Sequence, residues 1–170
     1  LSHVGNGLYG ELWAAALLAS AMGADSPVEA LAHARPVVPD GSRLAEALDA
    51  ITELRANGAT ADDAHAWVRR HLGHYNWVHT VNNAALISIG LLWGTDFTST
   101  VALTLAGGCD TDSSGATVGS VYGALHGAES IPRELVGETH HRVRSAVKGF
   151  DRVEISQLAE RTLALIEVFA

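Results

Sequence analysis

Apolar residues recur at intervals of three and four along almost the whole chain, and this spacing restricts the fold more than any other feature of the sequence. One stripe runs from Leu8 to Met22, another from Leu44 to Leu54, and a third from Val153 to Val168. This period places apolar side chains on one face of an α-helix, whereas a half-buried strand needs strict alternation. No segment alternates for long enough to predict a strand. With 170 residues, the chain is predicted to be all-α and to form one domain over residues 1–170.

Caps and small residues divide the pattern into separate helices. Residues that favour the first position before a helix precede four of the apolar runs, namely Ser26, Ser42, Thr60 and Asp96. The segment 77–93 is apolar on most sides, which indicates a helix buried within a bundle. Glycine, alanine and serine recur at intervals of three and four in the segment 116–127. This spacing allows close approach of a neighbouring helix, and we expect the 116–127 helix to lie at the centre of the fold.

Charge and cysteine content narrow the possible partners and compartments. Eleven basic against nineteen acidic residues give a net charge of −8, which disfavours a nucleic-acid or anionic-membrane surface. A single cysteine, Cys109, excludes an internal disulfide and an all-cysteine zinc site. The longest apolar run, Leu12–Ala19, is far shorter than the roughly 20 residues that cross a bilayer. We therefore expect a cytoplasmic protein with neither nucleic acid nor membrane as its partner.

The loop Gly107–Gly115, with the sequence Gly-Gly-Cys-Asp-Thr-Asp-Ser-Ser-Gly, is the stretch that best indicates chemistry. Asp110 and Asp112 stand two residues apart and Ser113 follows, so a loop could turn three oxygen ligands toward one hard divalent cation. Alternatively, Asp112 or Ser113 caps the helix that follows, and the acidic residues complement its dipole. Both interpretations remain open from the residues alone.

Two other metal sites fit the sequence poorly. A calcium-binding EF-hand loop that begins at Asp110 would need a bidentate glutamate at its twelfth position, where Val121 stands. The nine histidines include no His-Glu-x-x-His pattern, and sulfur ligands are absent apart from Cys109, which we interpret as a packing residue.

The segment from Gly107 to Gly127, followed by Ile131–Pro132, resembles the C-terminal signature of the ADP-ribosylglycohydrolase family. In that signature Gly-Gly-x-Asp-x-Asp-Ser/Thr leads into a small-residue helix that ends in glycine and precedes Ile-Pro. The resemblance extends upstream through Val78–Ala85, with the sequence Val-His-Thr-Val-Asn-Asn-Ala-Ala, and more weakly to Leu1–His3 and the helix that follows. It implies an orthogonal multi-helix bundle with a two-magnesium centre that hydrolyses the glycosidic bond of an ADP-ribosyl group.

The resemblance also implies roles for individual residues. Asp110 and Asp112 would be metal carboxylates and Ser113 a hydroxyl ligand, holding Mg²⁺ or Mn²⁺ with two ions in the complete site. The substrate would be an ADP-ribosylated protein or a small ADP-ribosyl or nucleoside-type molecule. Near the metals, His79 and Asn82 would contact the ribose or adenine, with Trp77 as a stacking face. The alternative for His79 and Asn82 is a buried, satisfied polar pair.

One part of the family pattern has no counterpart in the chain. The family carries an N-terminal Thr-Asp-Asp motif after a Gly-Asp-Ala-x-Gly segment, and neither occurs here; Asp62–Asp63 instead suits the first turn of an ordinary helix. We therefore expect the 170 residues to be the C-terminal part of a longer domain, with the general base elsewhere and little activity in this piece alone. A non-catalytic binding or structural protein on the same fold remains the alternative.

Overall fold

The computed structural model describes residues 3–137 and 141–169, with side chains described as far as residue 166. The chain divides after Ser130 into two compact units, which are described separately below. Helices make up most of the residues that the structure describes, so the predicted all-α class is confirmed. That these residues are the C-terminal part of a longer domain stays a prediction.

The first unit consists of seven α-helices and two short 3-10 helices. The α-helices are α1 (Asn6–Ala21), α2 (Pro27–Ala34), α3 (Arg43–Ala56), α4 (Ala61–Leu72), α5 (Thr80–Trp93), α6 (Phe97–Leu105) and α7 (Thr111–His126). The 3-10 turns span Arg35–Val37 and Ala128–Ser130. The four predicted caps are confirmed, because each side chain accepts a backbone N–H of the first turn: Ser26, Ser42, Thr60 and Asp96.

Helix α5 lies at the centre of this unit. Twelve of its fourteen residues are buried, which confirms the prediction of a buried helix. The helix begins at Thr80 and not at Trp77, because the chain from Gly73 to Val78 forms a turn-rich loop and His79 caps the first helical turn. The start of α5 therefore stands next to a loop.

Helix α7 is less buried than the sequence predicts. Within it only Ser114, Val118 and Val121 are buried, so the prediction that the small-residue helix forms the centre is wrong. Small side chains permit close approach on one side of a helix, but they offer little apolar surface to a second layer. The long aliphatic side chains of α5 fill the core instead.

Two glycines set how closely other segments approach α5. A Cβ atom at Gly10 would collide with the Thr80 hydroxyl oxygen, and one at Gly107 would collide with the Leu86 side chain. Glycine at these positions lets α1 and the acidic loop pack directly against α5.

The second unit contains α8 (Arg133–Val136), the strands β1 (Arg142–Val143) and β2 (Val153–Glu154), and α9 (Ile155–Phe169). The strands pair antiparallel, with Arg142 opposite Glu154, and the Arg142 Nε donates to the Glu154 carboxylate at 2.6 Å. The prediction of no strand is therefore wrong here, because two residues are too few for an alternating pattern to show. None of the described helices is long and apolar enough to span a membrane.

Candidate functional site

The acidic loop turns sharply just before α7. Gly108 and Cys109 both adopt the left-handed backbone conformation, with φ of 71° and 62°. This conformation is free for glycine but costs a residue with a Cβ roughly 1–2 kcal/mol. Cys109 is half-buried against the core, and its Sγ lies 3.4 Å from the Asn82 Nδ2. These contacts hold the turn, which places Asp110 at the cap position of α7.

No side chain caps α7 at this position. Asp110 has φ −84° and ψ 77°, outside the extended conformation of the other caps, and its carboxylate accepts no capping hydrogen bond. Asp112 and Ser113 lie inside the first turn, past the cap position. The interpretation that Asp112 or Ser113 caps the helix is therefore wrong.

The Asp110 side chain influences the neighbouring Asp112 carboxylate. A hydrogen-bonding contact with the Asp110 side chain lowers the pKa of Asp112, and the backbone N–H groups of Asp112 and Ser113 lower it further. Asp112 is exposed, whereas Asp110 is half-buried. The start of α7 therefore presents two neighbouring acidic groups, at a helix end that favours negative charge.

The Asn83 side chain connects this loop to the start of α5. Its Oδ1 accepts from the Asp110 backbone N–H and from the Ser114 hydroxyl, both at 3.1 Å. Its Nδ2 donates to the carbonyls of Trp77 at 2.8 Å and His79 at 3.0 Å. One buried amide thus fixes the position of the acidic loop relative to the loop before α5.

A cavity of about 200 Å³ opens between α1, α5 and α7. Asp110 and Ser113 contribute to its wall, together with Trp13, Val78 and Asn83. Asp112 is absent from the lining. The structure therefore brings two of the three predicted metal ligands to one cavity and places the third next to Asp110, on the exposed side.

The donor set suits a hard cation but does not complete a site. Two carboxylates and a hydroxyl offer oxygen ligands, which Mg²⁺ and Mn²⁺ prefer. Among the described residues, no group of three or more His, Cys, Asp or Glu side chains could hold a metal. An ion at Asp110 and Asp112 would need its remaining ligands from water or from groups outside this cluster.

The predicted substrate residues lie beside the loop but do not line the cavity. The Trp77 side chain is 60% exposed. The His79 Nδ1 accepts the Val81 N–H at 3.2 Å as a helix cap, and its ring stacks on Tyr75 at 4.3 Å. Burial, followed by the charges of Arg43 and His74, lowers the pKa of His79. This imidazole is therefore mainly neutral near neutral pH.

Asn82 is buried and only partly satisfied. Its Nδ2 donates to the Asn76 carbonyl at 3.1 Å and lies near the Cys109 Sγ, while its Oδ1 has no hydrogen-bond partner among the described residues. His79 and Asn82 do not form the pair that the sequence suggested. Their roles in substrate binding stay predictions.

Sequence reasoning did not single out Asn83 or Trp13 as site residues. Two adjacent asparagines in an otherwise apolar helix were the available signal for Asn83, since a buried amide needs partners. Trp13 shows only a helical spacing that any core residue shares.

Comparison with known proteins places the sequence in a family. The family model described as ADP-ribosylglycohydrolase matches residues 1–169. Among curated proteins and among solved structures, none matches the chain significantly.

Proposed function

The chain belongs to the ADP-ribosylglycohydrolase family, and from this premise we propose that it contributes to metal-dependent hydrolysis of a glycosidic bond. The substrate is an ADP-ribosyl group on a protein, or a small ADP-ribosyl or nucleoside-type molecule. Water adds to the anomeric carbon as the bond to the leaving nitrogen or oxygen breaks, and a proton passes to the leaving group.

The start of α7 is the single observation that supports this proposal most. Asp110 stands at the cap position, and Asp112 and Ser113 lie in the first turn that follows, yet among the described residues no side chain makes a capping hydrogen bond at Asp110. A carboxylate that makes no capping hydrogen bond remains available for a ligand.

In the proposed site, Asp110 and Asp112 would hold Mg²⁺ or Mn²⁺ through their carboxylates and Ser113 through its hydroxyl. A complete site would take two ions, and groups other than these three side chains would supply the further ligands and the general base. The bound metal would supply charge stabilisation and a water of lowered pKa. Asn83 keeps Asp110 in place by accepting its backbone N–H.

The loop before α5 supplies the proposed substrate contacts. The exposed Trp77 indole offers a stacking face for adenine. Because the His79 Nδ1 accepts from Val81, its neutral ring carries the proton on Nε2, which can donate to a ribose oxygen. Asn82 would contribute its Oδ1, which has no hydrogen-bond partner among the described residues, as an acceptor.

Calorimetric titration of Mg²⁺ tests the metal part. The chain should bind Mg²⁺ weakly, and the Asp110→Ala/Asp112→Ala variant should lose this binding because both carboxylates are gone. The matched control is Asp25→Ala/Asp62→Ala, which removes the same charge elsewhere and should bind as the parent does. Equal binding by all three would remove Asp110 and Asp112 from the site.

Turnover tests the catalytic part in a chain that also carries the N-terminal acidic motif. Asp112→Asn there should lower kcat by orders of magnitude, since a ligand present in the transition state is lost. Activity that withstands both a chelator and Asp112→Asn would contradict the proposal.

A non-catalytic binding protein on the same fold is the second candidate. The observation that favours it is the small number of carboxylates, because the described residues provide no third acidic or histidine ligand near Asp110 and Asp112. Mg²⁺ binding and ADP-ribose binding without turnover, in the chain with all natural segments present, would identify this case.

A further inference from the structure

Trp13 also lines a second, larger cavity of about 300 Å³ in the first unit. Its walls come from α1, α2, α3 and α5, and most of them are apolar: Trp13, Val28, Leu31, Ala32, Leu48 and Leu92. Val28 is 58% exposed and marks the mouth, whereas Trp13, Leu48 and Leu92 are buried and form the floor. Pockets that bind small molecules begin at about this volume and are mainly apolar.

The two hydroxyl groups of this cavity can accept hydrogen bonds but have no proton left to give. The Ser88 hydroxyl donates to the Ala84 carbonyl at 2.9 Å, and the Thr52 hydroxyl donates to the Leu48 carbonyl at 3.0 Å. A hydroxyl has one proton and two lone pairs. Each oxygen therefore remains an acceptor, and a ligand that satisfies it must bring a donor.

An ion pair at the mouth disfavours an anionic ligand, because the Arg35 guanidinium is already paired with carboxylates. The Arg35 guanidinium binds both carboxylate oxygens of Asp49, at 2.6 and 2.8 Å, and also contacts Asp40 at 3.1 Å. Because two carboxylates surround one guanidinium, the mouth of the cavity carries no excess positive charge. An uncharged ligand avoids the cost of placing an ion among apolar walls.

We propose that this cavity binds a small, uncharged aromatic molecule with one hydrogen-bond donor, of the chemical class of indole or phenol. Trp13 provides a ring surface for such a molecule, and Ser88, Thr52 and Asp49 provide acceptors. Trp13 lines both cavities, but none of the residues of the acidic loop lines this one, so the proposal does not depend on the proposed hydrolytic function.

Titration of the ¹⁵N-labelled chain with indole tests the proposal, with benzothiophene as a ring system of similar shape that lacks the N–H. Indole should shift the amide signals of α2 and α3 in a saturable manner. The Thr52→Val/Ser88→Ala variant should bind indole about fivefold more weakly, as expected for one lost hydrogen bond. Its affinity for benzothiophene should be unchanged.

A filled cavity provides the second arm of the experiment. Ala32→Leu should weaken the binding of both probes at least about tenfold, since its side chain occupies the space of the ligand. Ala19→Leu makes the same change on an exposed part of α1 outside the cavity and should bind as the parent does. If Ala32→Leu fails to fold by circular dichroism, Val28→Trp at the mouth takes its place.

Three results would overturn the proposal. The first is the absence of saturable shifts with indole in the parent chain. The second is undiminished binding in the filled variant. The third is an equal loss of affinity for indole and benzothiophene in Thr52→Val/Ser88→Ala, which would show that the indole N–H plays no part in binding.

Discussion

Helices α6 and α7 begin with the same pattern, an aspartate followed three residues later by a serine, and yet their starts differ. In α6 the Asp96 carboxylate accepts the Ser99 N–H at 2.7 Å, and the Ser99 hydroxyl accepts the Asp96 N–H at 3.0 Å. In α7 the Asp110 N–H donates to Asn83, and no reciprocal bond with Ser113 forms. The first start is a closed capping box; the second is open.

The difference arises from a residue outside the motif. Asn83 takes the backbone N–H that Ser113 would otherwise accept, and Asp110 leaves the extended conformation that Asp96 keeps. An identical local pattern thus stabilises a helix in one place and leaves oxygen ligands available in the other. Polar side chains at the start of a helix therefore indicate a ligand site only where they do not cap the helix. At α7 this is the case because Asn83 binds the backbone N–H of the cap residue.

Removal of the Asn83 amide should have the largest effect. Asn83→Ala leaves two donors and two carbonyls of the loops without their partner, and we expect a loss of about 3 kcal/mol in the free energy of unfolding. Urea denaturation measures it. Asn76→Ala, at an exposed position of the preceding loop, serves as the control and should lose much less. A loss below about 1 kcal/mol for Asn83→Ala would mean that water replaces the amide without cost.

Truncation of the two aspartates tests the comparison directly. Asp96→Ala should destabilise the chain by about 1 kcal/mol, since it removes a capping side chain. Asp110→Ala should change the stability by less than about 0.5 kcal/mol, because no capping hydrogen bond is lost. Thermal and urea unfolding of both variants provide the values. Similar losses for Asp96→Ala and Asp110→Ala would show that Asp110 caps α7 in solution.

Much of the fold, and part of the site, could be predicted from the sequence. The caps at Ser26, Ser42, Thr60 and Asp96 were predictable because the relevant hydrogen bonds span three residues. The open start of α7 was not, because it depends on Asn83, 27 residues before Asp110. The central position of α5 followed from its apolar surface, whereas the partial exposure of α7 depends on which neighbours pack against it.

A buried histidine extends the comparison to α4. His65 is 5% exposed, and neither ring nitrogen has a hydrogen-bond partner among the described residues. Burial, followed by the charge of Arg69, lowers the pKa of His65, and the charge of Asp62 opposes this shift only weakly. As the pH falls, His65 therefore binds a proton at a higher pH in the unfolded chain than in the folded chain. Stability is complete above the unfolded pKa of about 6.5 and declines as the pH falls below it.

We expect a decline of up to about 1 kcal/mol from this histidine between about pH 7 and pH 5.5. His65→Leu should remove this component of the pH dependence, measured by urea unfolding at several pH values. His33→Leu alters an exposed histidine of α2 and should preserve it. An unchanged pH profile in His65→Leu would show that the ring stays neutral, or gains a partner, in both states.

The link through Asn83 also bears on protein engineering. Transplanting the segment Gly107–Gly115 into another helical scaffold would carry over the aspartates and the serine but not the distant amide. In the new host the Asp110 N–H would be free for Ser113, and the segment would close into the kind of box seen at Asp96. A functional graft therefore has to carry two pieces of chain, the acidic loop and the asparagine-bearing start of α5.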